Sequence, residues 1–394
     1  MNKLYAVSLM ILCSVFTNAQ DYNLTMMHDG KARTFILHSP CSTYNCTGKK
    51  IPLVFAFHGL TETGTIIKNY SDLNAVADTA GFAVIYANGL SNRWNVGFTG
   101  TGASSEDDLG FANAMIDYMI ANANNCDSNI CAAIDTNRVY SCGMSNGGFF
   151  SYLLACKLSH RIAAIASVTG SMSIATYDSC SPSRAVPIFE LHGTTDPIVA
   201  YGGSPQNGTK SIDDALAYWR NNNGCTGNAT TISLPDVNTT DGSTVQSIHN
   251  NACNNSTEVL HYKITNGGHT WPSMTVAQYP EIIVGKTNKD IHASQEIWRF
   301  FNKHRLDNVA TSISKHQVHS QYKFYPNPIN AVLNIEVETV SVLRVSDVNG
   351  KIIATYELQT GSNQIQCENF SSGTYFARIE KNTGASINFR FVKE

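Results

Sequence analysis

From about residue 31 to 305, short runs of β-branched and aromatic residues alternate with longer helical patterns, and that alternation suits a mostly parallel sheet covered by helices. Strands are expected at Arg33 to Leu37, Leu53 to His58, Ala83 to Ala87, Arg138 to Cys142, Ala163 to Val168, Ile188 to His192 and Val259 to Ile264. Helices fit between them at Asp72 to Thr79, Asp108 to Ala121, Gly147 to Leu158, Ser211 to Asn221 and His292 to Asn302. The expectation is a doubly wound α/β domain. Residues 306–321 lose this pattern and gain Ser, His, Asn and Gln, as a linker does. Beyond them come short alternating runs from Phe324 onward, parted by Asn349-Gly350, Gly361, Ser372-Gly373 and Gly384, which predict a small antiparallel all-β sandwich.

Gly143-Met144-Ser145-Asn146-Gly147 falls where the strand ending near Cys142 meets the helix opening near Gly147. Gly-x-Ser-x-Gly alone recurs by chance in roughly one chain in ten of this length. Its position makes it informative: a serine in a strained strand-to-helix turn needs small neighbours, and the helix N-terminus aims its dipole at negative charge developing there. A serine hydroxyl is a poor nucleophile until a base takes its proton, so a histidine and an orienting carboxylate must follow, in the order Ser, acid, His. Asp196, in His192-Gly193-Thr194-Thr195-Asp196-Pro197, and His269, in Asn266-Gly267-Gly268-His269-Thr270-Trp271-Pro272, each follow an expected strand. Both would emerge at the C-terminal edge of the sheet, where catalytic groups of open α/β sheets gather. Asp213 and Asp214 are rival acids, and His249, His261 and His292 rival bases. They fit less well, since the aspartates fall in a helical pattern, His261 sits mid-strand and His249 lies in an Asn-rich loop with no strand before it.

The expected oxyanion donors are the backbone N–H groups of Asn146 and of Leu60, the latter after Phe55-Ala56-Phe57-His58-Gly59. Trp94, Trp271 and His58 are candidate substrate contacts, each weighed against core packing or, for His58, a hydrogen-bonded support. Asp107 and Asp108 read as caps of the helix that follows them.

The N-terminus has the pattern of an export signal: Lys3, an apolar run from Leu4 to Phe16, then Thr17-Asn18-Ala19. Lipidation at Cys13 is disfavoured because Leu12 is not small. The expected organisation is therefore a signal peptide at 1–19, a catalytic domain at 20–305, a linker at 306–321 and a β-sandwich at 322–394. No later apolar stretch reaches the roughly 18 residues of a membrane span. A net charge of -3 gives no reason to expect nucleic acid as a partner. Of the remaining ten cysteines, Cys41 with Cys46, Cys126 with Cys131, Cys156 with Cys180 and Cys225 with Cys253 are candidate disulfides of an exported chain, while Cys142 reads as a buried thiol. There is no His-Glu-x-x-His, no Cys-x-x-Cys and no regular His spacing, so no metal and no cofactor is expected.

Residues 30–305 resemble the secreted polyhydroxybutyrate depolymerase and feruloyl esterase group of the first carbohydrate esterase family, within the α/β-hydrolase superfamily. The carriers are Phe57-His58-Gly59, Tyr86-Ala87-Asn88-Gly89, Asp107-Asp108-Leu109-Gly110-Phe111, Gly143-Met144-Ser145-Asn146-Gly147-Gly148, His192-Gly193-Thr194-Thr195-Asp196-Pro197 and Gly268-His269-Thr270-Trp271-Pro272. The resemblance maps that group's triad onto Ser145, Asp196 and His269. It departs at Leu60, where the group often has Cys. It implies a serine esterase acting on polyesters or acylated plant polysaccharides, and the expectation is a secreted monomer. A serine peptidase of the same fold and an inactive binding protein are the rival readings. The tail resembles the C-terminal sorting domain of the type IX secretion system of Bacteroidetes, through Phe324-Tyr325-Pro326-Asn327-Pro328, Val348-Asn349-Gly350-Lys351, Ser372-Gly373-Thr374-Tyr375 and the final Phe391-Val392-Lys393-Glu394. That resemblance implies the secretion machinery as partner, with a substrate-binding module as the alternative.

Overall fold

The computed structural model describes residues 20–42, 44, 46, 48–122, 132–274, 279–306, 323–347, 351–381 and 386–394. The expected signal peptide up to residue 19, the Cys126–Cys131 pair and most of the linker lie outside them. The chain divides into two compact units, residues 1–310 and 311–394.

In the first unit the order is β1 (Gln20–His28), β2 (Lys31–Ser39), β3 (Lys50–Phe57), α1 (Gly64–Ser71), α2 (Leu73–Ala80), β4 (Ala83–Ala87), α3 (Asp108–Ala121), β5 (Ala133–Met144), α4 (Asn146–Lys157), β6 (Ala164–Val168), α5 (Ile174–Asp178), β7 (Ile188–Gly193), α6 (Ile212–Asn222), β8 (Thr230–Ser233), β9 (Thr244–Asn250), β10 (Val259–Thr265), α7 (Glu281–Val284) and α8 (Ala293–Phe301). These strands form one ten-stranded sheet in the order β1-β2-β4-β3-β5-β6-β7-β10-β9-β8. The six strands from β4 to β10 run parallel. The two at each edge pair antiparallel.

Both faces of the sheet are covered, which is why its central strands are continuous apolar runs instead of alternating ones. Side chains of β3 show the division: Phe55 and Phe57 enter one core with Phe111 and Met115 of α3, Phe149 and Phe150 of α4 and Trp219 of α6. Val54 and Ala56 enter the other, with Ile67 of α1, Leu73 of α2 and Ile297, Phe300 and Phe301 of α8. Each expected strand and helix is present. β1, β8 and β9 were not expected; β8, Thr-Thr-Ile-Ser, is exposed along its whole length, as suits an edge strand with polar side chains.

Disulfides join Cys41 to Cys46, Cys156 to Cys180 and Cys225 to Cys253, and Cys142 is a buried free thiol. Among the described residues no helix is long and apolar enough to cross a membrane.

The second unit holds β11 (Lys323–Tyr325), β12 (Val332–Val337), β13 (Ser341–Ser346), β14 (Ile352–Leu358), β15 (Gly361–Gln366), β16 (Gly373–Lys381) and β17 (Ser386–Lys393). Two antiparallel sheets, β11-β12-β15 and β14-β13-β16-β17, enclose a core of Ile329, Leu333, Ile335, Leu343, Val345, Cys367 and Phe391. Alternate residues point inward, the sandwich pattern read from the sequence.

Candidate active site

Ser145 links the end of β5 to the start of α4 with φ 54° and ψ −120°, a region a side-chain-bearing residue occupies only when its surroundings impose it. Two constraints do so. The Ser145 N–H donates to Val168 O of β6 at 2.9 Å, and α4 presses directly onto the end of β3: a Cβ at position 147 would lie 1.9 Å from Phe57 O, so only glycine fits. The N–H of Asn146, first residue of α4, has no partner within its helix. Its side chain is anchored, accepting from Trp94 N at 2.7 Å and donating to Trp94 O at 3.3 Å.

Asp196 follows β7 and His269 follows β10, neighbouring parallel strands. Their loops meet where a Cβ on residue 193 would fall 2.2 Å from Gly267 O, and glycine there permits the approach. The buried Asp196 carboxylate accepts through Oδ1 from the N–H groups of Ile198 and Val199, each at 2.8 Å. Its Oδ2 accepts from His269 Nδ1 at 2.8 Å. With Nδ1 so engaged, Nε2 is the nitrogen left for proton transfer. Ser145, His269, Leu60 and Asn146 all line one cavity of about 1040 Å³, which also takes in Phe98, Phe149, Met274 and Tyr279.

None of the rival acids and bases lines this cavity. Asp213 accepts from the Tyr201 hydroxyl, His249 pairs with Glu258, His261 is buried in β10, and His292 lies 3.4 Å from Asp72.

Three expected contacts need correction. Trp94, Trp271 and His58 are all buried and none lines the cavity, so they support the site from beneath and do not wall it. The Trp94 indole donates to His58 O at 3.0 Å and stacks on Phe150; the Trp271 indole donates to Ser294 Oγ at 3.2 Å. His58 donates from Nδ1 to Gly59 O at 2.7 Å and accepts from Gly89 N at Nε2, at 3.0 Å. That fixes its tautomer, and burial pushes its pKa down to about 4, keeping the ring neutral. Asp107 does cap α3, accepting from Gly110 N at 2.8 Å. Asp108 does not act as a cap: it is buried, 2.6 Å from the Arg33 guanidinium, and takes the N–H of Asn95 at 2.7 Å, tying the 95 loop to β2.

Two buried carboxylates near the site, Glu62 and Glu190, escaped the sequence reading. Glu62 lines the cavity, and its Oε2 accepts from Gly59 N at 2.9 Å and from the Tyr70 hydroxyl at 3.1 Å, bracing the turn that carries Leu60. Glu190 lies in the middle of β7. The signal for the second was an acidic residue inside a strand expected to be buried on both faces.

Residues 45–207 match the Phospholipase/Carboxylesterase family, and residues 323–394 match the secretion system C-terminal sorting domain. A putative esterase of Nocardia uniformis subsp. tsuyamanensis is 26% identical over 278 residues, spanning 66% of this chain and 77% of that protein. A bifunctional acetylxylan esterase/xylanase of Neocallimastix patriciarum is 25% identical over 266 residues, 66% of this chain. Feruloyl esterase B of Piromyces equi is 27% identical over 234 residues, 56% of this chain.

The chain is an esterase of the α/β-hydrolase fold.

The esterase spans only 32% and 40% of those last two relatives. Among solved structures, an acetyl xylan esterase from Aspergillus awamori aligns with a TM-score of 0.48 at 16% identity, covering 72% of this chain and 99% of that one. The sorting domain marks the esterase for extracellular export by the type IX secretion system.

Proposed function

We propose that the esterase hydrolyses ester bonds of acylated plant polysaccharides through a triad of Ser145, His269 and Asp196. The observation that carries the reading is the 2.8 Å bond from His269 Nδ1 to Asp196, with Ser145 in its strained turn on the same cavity. His269 Nε2 takes the Ser145 proton as Oγ bonds to the ester carbonyl carbon. The resulting oxyanion is held by the N–H groups of Leu60 and Asn146, at the positive end of α4. His269 then protonates the leaving alcohol, and an acyl-serine remains. Water, deprotonated by the same nitrogen, attacks that acyl group, and the acid departs as Ser145 regains its proton. Asp196 holds the imidazole in the tautomer this requires and stabilises its charged form. In this reading residues 20–305 are the catalytic domain and 322–394 the exported tail, joined by 306–321.

The names of the acetylxylan and feruloyl esterase relatives support the polysaccharide substrate. A second reading, a polyester, draws on the cavity mouth, where Ile198, Tyr279 and Ile283 are exposed beside Ile282, which is 95% exposed. Such an apolar rim suits an insoluble hydrophobic chain. The test is the full-length esterase on p-nitrophenyl acetate, acetylated xylan, methyl ferulate, a polyhydroxybutyrate film and a peptide amide, beside Ser145→Ala. Turnover of the xylan or ferulate ester, lost in Ser145→Ala, is expected. Film erosion in its place moves the substrate to the polyester, and undiminished turnover by Ser145→Ala defeats the triad.

A further inference from the structure

Behind Asp196 lies a set of polar side chains buried in the centre of the sheet. Glu190 and His192 are both wholly buried, on alternate residues of β7, where an unpaired charge would be costly. His192 donates from Nε2 to Val199 O at 2.8 Å, and the same nitrogen lies 3.5 Å from Asp196 Oδ2. Its Nδ1 lies 3.1 Å from Glu190 Oε1, while Glu190 Oε2 accepts from the Tyr152 hydroxyl at 2.9 Å. His261 Nδ1 donates to Glu190 O at 3.1 Å. Tyr152 belongs to α4, which Ser145 opens; Glu190 and His192 to β7, which leads to Asp196; and His261 to β10, which leads to His269. One network therefore touches every element that carries a member of the triad.

We propose that Glu190 and His192 are a positioning pair that holds the Asp196 carboxylate in register with His269. The proposal rests on the triad reading given above. Asp196 spends Oδ1 on two backbone amides, so Oδ2 alone faces His269, and His192 Nε2 lies 3.5 Å from that same oxygen. Burial by itself would push the His192 imidazole down, but Glu190 and Asp196 outweigh it and hold its pKa above the ordinary value. The other groups facing the pair are Tyr152 from α4, Tyr201 from the loop after Asp196 and His261 from β10, with Asp213 and Lys263 beyond Tyr201. Burial pushes His261 down to about 3, so it contributes no charge. Removing either partner changes the buried charge beside Asp196, so the acidic limb of the pH profile moves.

The test compares Glu190→Gln, His192→Gln and Tyr152→Phe with the wild type, using full-length esterase and p-nitrophenyl acetate. Rates are expressed per active site titrated by the p-nitrophenol burst. In the first two variants kcat is expected to fall roughly 10- to 100-fold with KM held within about twofold, because the acid is misplaced while the cavity is intact. The acidic limb of the kcat/KM profile is expected to move by about half a unit. Tyr152→Phe, which keeps its ring in the core, is expected to move both readouts the same way by about threefold and a few tenths of a unit. A purely structural role would lower the titrated fraction and leave per-site kcat and the limb at wild-type values, and that result overturns the proposal. Should the first two variants fail to fold, wild-type values for Tyr152→Phe overturn it as well. An inert wild type, or an active Ser145→Ala run alongside, instead defeats the triad reading itself.

Discussion

His58 and His261 are held neutral by burial, and this makes acid a selective threat to the catalytic unit. Their pKa values in the folded protein lie at about 4 and about 3, below the ordinary 6.5. Between those values the unfolded chain binds protons that the folded one does not, so stability falls as pH drops below about 6.5. His192, raised by its carboxylates, acts in the opposite sense, its contribution being full at low pH and lost as pH rises. Urea midpoints measured at pH 7 and 4.5 should therefore drop in acid, and His261→Gln should flatten that drop. At this scale the sequence was readable where neighbours in the chain mark a site: Ser145, Asp196 and His269, the proposed triad, each lie within three residues of a glycine after a strand, and the structure brings the last two into hydrogen-bond contact. Glu190 left a signal, an acidic residue in a buried strand, but its partners did not, since Tyr152 is brought to it from α4 by the fold. Trp94 and Trp271 misled for a related reason, since an indole beside a site looks alike in sequence whether it walls the cavity or lies beneath it.

The elements meet at backbone-to-backbone contacts that leave no space for a methyl group. A Cβ at position 193 would fall 2.2 Å from Gly267 O, between the loops of Asp196 and His269. Gly193→Ala is expected to force those loops apart, costing about 1–3 kcal/mol in urea unfolding and lowering kcat more than it raises KM. Central strands such as β4 and β6 were legible because a strand covered on both faces has to be apolar throughout. β8 and β9 were not, since Thr, Ser, Gln and Asn at an exposed sheet edge look like loop composition. α1 was missed because it opens on Gly64 and has only two full turns.

Taken whole, the molecule joins two units with separate cores, each closed on itself. A chain ending at residue 306 should keep its kcat on p-nitrophenyl acetate within about twofold, since a domain with its own core folds alone. In the native host the same truncation should end release into the medium. The turn at residue 145 also bears on the stability of the whole molecule. With φ at 54°, serine holds a shape that glycine would adopt freely, a strain of about 1–3 kcal/mol. Ser145→Gly should therefore give a dead esterase with a higher urea midpoint than the wild type. On the proposed triad, folding and chemistry pull this one position in opposite directions, so mutation left unchecked by any need for the reaction would drift toward a sturdier, silent protein.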